Sequence, residues 1–480
     1  MKGFFKRLII IDVSSQEVTI EPIKEDLLKQ YMGGKGLGTR LLLDHNPPQV
    51  DALSPDNRFI MGLGPATDSK LYGSCRYGIY TKSPLTGFYG ESYSGGSVAI
   101  SMSRSGYDFV ILKGASDHPV WLEISDTDVK FHDADDLWGK ESYETEDIVK
   151  ERCGVKGCGA LVIGPAGENL VRFAVVKNDY WRSAGRCGMG AVLGSKKVKA
   201  MVFHGSCQRE YHDPEKINKY AKNMFQELKN HPATETYRNQ GTPVMVAGLN
   251  NAGAFPTKYW SKGKCEHWEK INAQSMKERL DPKPRACRTC FMACGKFVTV
   301  QEGRHKGLQL EGPEYETIYA FGGLCMIDSI EEIVYLNDIC DRLGMDTMSS
   351  GNLIALAIEA SQRGKIKEEL SYGDADMVAD LLYKIARREG LGGLIAEGIK
   401  TASAELDMED IAVHVKGLEP AGYDPRVLKG MGLAYAISPR GACHLRSTFY
   451  KAELSGMIED RKSTRLNSSH LCASRMPSSA

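Results

Sequence analysis

The pattern of apolar and polar positions changes near residue 210. Before it, apolar residues come in short β-branched or aromatic runs at 8–11, 18–20, 59–61, 77–80, 109–112 and 161–163. Glycine-rich turns separate these runs, and short apolar stretches bounded by turn residues predict strands. Ser14 and Ser15, between the first two runs, predict a hairpin. Beyond His212 the period lengthens. Asp213 as an N-cap and Pro214 as the first helical residue open a helix. Ser329 followed three residues later by Glu332 has the form of a capping box and predicts a helix to about Leu343. Further helices are expected near 352–362, 376–388 and 394–404.

These elements predict an α+β protein: an N-terminal β-rich domain over 1–210, then mainly α-helical domains. The first helical domain covers 211–416, and a further segment over 417–460 opens on Glu419, Pro420 and Gly422. Residues 461–480 are Ser/Arg-rich without periodicity and are expected to be a disordered or non-native tail. No repeat of 20–50 residues is evident.

Composition narrows the function. Lys+Arg and Asp+Glu are both 61 in a chain of 480 residues, which argues against nucleic acid or an anionic membrane as the main partner. No apolar run approaches the roughly 20 residues that span a bilayer. The N-terminus lacks the apolar region of a signal peptide, so a cytoplasmic location is expected. The 13 cysteines are unevenly spaced around one tight group, a pattern of metal binding rather than of a disulfide framework.

That group is Cys287, Cys290 and Cys294, a C-x2-C-x3-C spacing framed by Pro282, Pro284 and Gly295. Such a run in a loop can hold zinc or remain as buried thiols; a 4Fe–4S cluster completed by a distant cysteine is the sharper reading. Arg76 precedes a glycine-rich turn containing Gly95 and Gly96, where backbone N–H groups beside cations suit phosphate. Neither a Walker loop nor a Rossmann fingerprint is present. Arg182, Ser183, Gly185 and Arg186 would let a large anionic ligand approach the backbone. Glu311, Glu314 and Glu316, and then Asp341, Gly344 and Asp346, supply acceptors for an N–H-rich heterocycle, although acids at a helix end are commonly just solvated. His444 lies among small residues, as a proton donor or as a structural histidine.

Taken in order, these motifs resemble the tungsten-dependent aldehyde:ferredoxin oxidoreductase family over about 1–460. The resemblance implies a β-domain that forms the base for a tungsten (or molybdenum) bis-molybdopterin, covered by two helical domains. It implies that Arg76, Gly95, Arg182, Ser183 and Gly185 hold pterin phosphates and a bridging magnesium. Asp341, Gly344 and Asp346, in D-x-x-G-x-D, would bind one pterin. Cys287, Cys290 and Cys294 would hold a 4Fe–4S cluster, Glu316 would help activate water, and His444 would serve the substrate carbonyl. The implied substrate is a small aldehyde, and the implied electron acceptor is ferredoxin or another low-potential carrier. A homo-oligomer is left open.

Two departures stand out. Tyr93 occupies the place of an asparagine that helps hold magnesium in the family. The D-x-x-G-[LI]-C pattern carrying the fourth cluster cysteine does not follow His444, and Cys472 stands in a different setting, so the chain reads as C-terminally truncated. The alternatives are a family relative acting on another carbonyl or acid substrate, or a non-catalytic Fe–S or zinc electron-transfer module.

Overall fold

A computed structural model describes residues 1–456. The expected tail, residues 457–460 of the third segment and Cys472 lie outside these residues. The order of elements is α+β: two six-stranded sheets with intervening helices, then a mostly helical second half.

The first sheet has the order Glu17–Pro22, Arg7–Asp12, Phe109–Lys113, Phe59–Leu63, Tyr77–Lys82, Tyr89–Ser94. The expected hairpin forms antiparallel, with Ile9 opposite Ile20. Its outer strand Glu17–Pro22 is exposed throughout, whereas Phe59–Leu63 is buried at every position. Such a continuous apolar run is what a strand covered on both faces requires. Gly62 permits the covering: a Cβ there would lie 2.0 Å from the Phe109 ring. The second sheet runs Arg182–Ala184, Val176–Asn178, Gly159–Val162, Val198–Phe203, Val120–Ile124, Val129–Asp133.

Short helices also interrupt the β-rich half, among them Gly34–His45, Ser142–Cys153 and Met189–Ser195. The strand-dominated pattern did not predict them. Ser142–Cys153 is polar over most of its length and buries only one aliphatic residue, Val149, so its amphipathic signal is faint.

In the second half, Pro214–Leu228 starts as expected, with Asp213 Oδ1 accepting from Lys216 N at 2.8 Å. Ile330–Leu343 also forms, but only half of its capping box does. Ser329 Oγ accepts from Glu332 N at 3.4 Å, while the Glu332 carboxylate turns to Arg304. The single helix expected over 394–404 is two, Leu391–Ile395 and Ile399–Glu405. Gly398 separates them at φ +84°, and Leu85 packs where its Cβ would be.

The halves share one core. Ser142 Oγ donates to Asp341 O at 2.7 Å, and Arg172 N donates to Ala396 O at 2.9 Å. Buried aliphatic and aromatic side chains run without a break from the sheets into the helices. Among the described residues no helix is long and apolar enough to cross a membrane.

Candidate active site

A cavity of about 450 Å³ opens where the two halves meet. Of the residues singled out in the sequence, Arg76, Gly95, Arg182, Ser183, Gly185, Glu316, Asp341, Asp346 and Cys294 line it. Residues 240 positions apart are therefore brought to one wall. Cys287, Cys290, Gly344 and His444 are not on the lining, although Leu445, next to His444, is. Gly344 has a backbone task. It ends Ile330–Leu343 in the left-handed conformation at φ +78°, and a Cβ would stand 3.0 Å from Gly164 N.

Asp341 and Asp346 are 8% and 5% exposed, so the solvated-acid reading does not hold. Asp346 caps Thr347–Gln362 by accepting from Met348 N at 3.0 Å. Its other oxygen accepts from Arg186 Nε at 2.9 Å and Ser349 Oγ at 3.1 Å. Arg186 is itself buried and spans Asp346 and Glu419. Asp341 accepts from Asn337 Nδ2 at 2.8 Å and from Lys177 Nζ, whose side chain is fully buried. Burial raises the Asp341 carboxyl to about 6, and the ammonium of Lys177 limits the rise.

Glu316 lies on the short turn Tyr315–Thr317, which runs into a π-helical segment, Ile318–Leu324. The wider winding of a π-helix is rare and is frequently found at functional sites. Gly422 N donates to Glu316 Oε2 at 2.9 Å. Glu316 Oε1 has no hydrogen-bond partner and lies 3.5 Å from His444 Nε2. Burial raises the Glu316 carboxyl to about 7. Burial, with Arg440, Arg186 and Arg446 close by, holds His444 down at about 3, so the imidazole is neutral around pH 7.

The three cysteines occupy the loop of a hairpin whose strands are Lys283–Arg285 and Gly295–Thr299, with Arg285 opposite Gly295. Cys290 N donates to Cys287 O at 3.0 Å, and Thr289 and Ala293 take positive φ to turn the loop. The buried Lys296 Nζ donates to the carbonyls of Ala293, Cys294, Gly295 and Tyr237, at 3.0–3.2 Å. From the other side the loop meets the N-terminal half through Arg288–Asp68 at 2.8 Å and Thr289 Oγ1 donating to Leu71 O at 3.0 Å. The three sulfurs are not gathered at the spacing of one ion. A hydrogen bond from the buried Cys75 thiol lowers the Cys287 thiol, and Arg182 and Arg76 add to the effect.

Profile comparison matches residues 8–205 to the aldehyde ferredoxin oxidoreductase N-terminal domain and residues 219–474 to domains 2 and 3 of the same family. The chain belongs to the aldehyde ferredoxin oxidoreductase family. The tungsten-containing aldehyde ferredoxin oxidoreductase of Pyrococcus furiosus is 35% identical over 467 residues, covering 95% of this chain and 76% of that protein. An aliphatic sulfonate oxidoreductase, WOR-like subunit, from the same organism is 30% identical over 475 residues, covering 92% and 75%. Among solved structures, the active-site complex BamBC of benzoyl coenzyme A reductase shares the fold, with a TM-score of 0.78 at 24% identity. That match covers 88% of this chain and 66% of the other.

Family membership implies a tungsten-type molybdopterin cofactor, and several observations test the fit. Glu316 Oε1 and Trp181 Nε1 on the cavity wall are buried without partners. Unmet polar groups at a cavity call for a polar occupant. Arg76 is exposed and has no carboxylate partner among the described residues, leaving its guanidinium for an anion. Gly95 carries no Cβ, which would stand 3.3 Å from Cys287 Sγ, so the cysteine loop can close onto the cavity rim. The free guanidinium of Arg76, the indole donor of Trp181 and the buried carboxylates suit a phosphate-bearing pterin, while Arg182 is already paired with Glu311. Tyr93, at the place of the magnesium-binding asparagine, donates its hydroxyl to Glu91.

Lys177, Trp181 and Cys75 were missed as site residues. A lysine directly after the apolar Val175 and Val176 was the one available signal for Lys177. A charged residue in a buried strand needs a partner, which sequence alone does not name.

Proposed function

We propose that this protein oxidises a small aldehyde to its carboxylic acid and passes the electrons to ferredoxin or another low-potential carrier. The aldehyde gains one oxygen from water and gives up two electrons and two protons. A tungsten (or molybdenum) bis-molybdopterin in the cavity, with a 4Fe–4S cluster, would supply the redox chemistry and the route outward. Arg76, Arg182 and the backbone at Gly95, Ser183 and Gly185 would hold its phosphates, with or without a magnesium. Asp341 and Asp346 would accept from one pterin ring. Cys287, Cys290 and Cys294 would hold the cluster.

The observation that carries this reading is Glu316 on the cavity wall with His444 Nε2 3.5 Å behind its free oxygen. A carboxyl raised to about 7 is matched to taking a proton from water near neutral pH. Its free oxygen Oε1 is the atom that would receive the proton. His444, held neutral, would donate an N–H to the substrate carbonyl oxygen rather than act as an imidazolium. Deprotonated Glu316 is the active form, so the rate is expected to rise with pH through about 7.

The test is aldehyde-dependent reduction of a viologen dye by the Glu316→Gln variant. We expect a loss of at least 100-fold, in the range of a general-base contribution, with the iron–sulfur absorbance unchanged. An unaltered rate would remove Glu316 from the mechanism.

A further inference from the structure

We propose a second metal site, separate from the cavity, that takes one zinc-like divalent ion through Cys153, Cys158, His204 and Glu123. The register of the second sheet creates it. Phe203 pairs with Gly159 and Val202 with Glu123, so His204 falls beside Cys158 at the same end of the sheet. Alternation along the strands points Glu123, His204 and Cys158 to the face that helix Ser142–Cys153 covers. Trp121, Ala160, Val162 and Val202 form the apolar part of that face, with Val149 from the helix. Cys153, the last residue of the helix, completes the group.

Donor atoms of Glu123, Cys153 and His204 all lie within 4.8 Å of one another, and they form the one such group among the described residues. Cys158 stands outside that group but adjoins Cys153, so a shift of its thiol would bring in a fourth donor. Tetrahedral zinc separates its ligand atoms by about 3.3–3.8 Å, so the three grouped donors need a small contraction and Cys158 a further shift. Two thiolates, an imidazole and a carboxylate are a borderline-soft set suited to zinc or cobalt rather than to magnesium or calcium.

Neighbouring groups support the ligands. Glu123 Oε1 is 3.0 Å from His204 Nε2, and Glu123 Oε2 is 2.9 Å from His132 Nε2, which would orient the carboxylate when Oε1 binds. Lys130 lies 3.4 Å from Glu123 and, with Lys150 close to Cys158, would offset the excess negative charge of the loaded site. Binding would release the thiol protons and the proton that His204 shares with Glu123. The ion would tie the end of helix Ser142–Cys153 to two strands. At its other end the same helix holds the backbone of Asp341 through Ser142, roughly 18 Å away for twelve residues. The site is therefore structural, a staple behind the cavity wall.

The test uses the full chain, reduced, stripped with chelator and titrated anaerobically with cobalt(II). The expected result is that wild type takes up one more equivalent than Cys153→Ser, with thiolate-to-cobalt charge-transfer absorption in the difference spectrum. His204→Gln, on the sheet end, is expected to weaken that equivalent at least tenfold while the far-ultraviolet circular dichroism is unchanged. Identical cobalt stoichiometry and spectra in wild type and both variants would overturn the site. So would a Cys153–Cys158 disulfide in the untreated protein together with no cobalt uptake at the pair after reduction.

Discussion

Glu316 and Lys177 show how far burial changes what an ordinary side chain does. Glu316 binds its proton more tightly in the folded chain than in the unfolded one. Its contribution to stability therefore falls as pH rises from about 4.5 to about 7. A glutamine there has no such dependence. In cofactor-free protein, the melting temperature of Glu316→Gln minus that of wild type is thus expected to increase from pH 5 to pH 8. Calorimetry at both values checks this, and a constant difference would mean that Glu316 titrates normally. Lys177 makes a different case, because among the described residues its only carboxylate contact is Asp341, and its side chain has no access to water. Lys177→Met strands that carboxylate and is expected to cost about 3–5 kcal/mol. Adding Asp341→Asn is expected to recover much of the loss, as measured by urea unfolding. The two acids of D-x-x-G-x-D were legible in sequence as a motif. That Lys177 and Arg186 are their partners was not, because each pair joins residues about 160 positions apart.

At the scale of elements, the strands of the first sheet were readable because each is a short apolar run closed by turn residues. The helices Pro214–Leu228 and Ile330–Leu343 were readable from their caps. Elements whose signal lies in packing were not. Helix Ser142–Cys153 carries few apolar residues, and the break at Gly398 depends on where Leu85 sits. The π-helical winding after Glu316 left no trace in the apolar pattern. The cysteine run was legible as a loop, while the hairpin beneath it and the four-carbonyl clamp of Lys296 emerged only from the fold. Gly344 belongs to this scale as well. Read as a pterin-binding position, it closes a helix in a conformation that disfavours a side chain, against the backbone of Gly164. Gly344→Ala is expected to destabilise the fold by about 1–3 kcal/mol. It should also lower cofactor retention, since Asp341 and Asp346 flank the turn. Chemical denaturation and metal content check the two effects separately. A neutral substitution would show that the turn is not under constraint.

Over the whole molecule, the fold places the cavity where the β-rich half meets the helical half, and neither half alone makes a wall. Arg76, Gly95 and Arg182 come from the first half, and Glu316, Asp341 and Asp346 from the second. The cysteine hairpin of the second half seats on the loop around Asp68 and Leu71 of the first. A ligand that spans both sides of the cavity would bind only the assembled chain and stabilise it by mass action. The most direct measurement is elemental analysis of the chain produced anaerobically in a host that makes tungstopterin. Stoichiometric tungsten or molybdenum, with roughly four irons per chain and broad iron–sulfur absorbance, is the expected result. Folded protein with iron but neither tungsten nor molybdenum would contradict a metallopterin in the cavity.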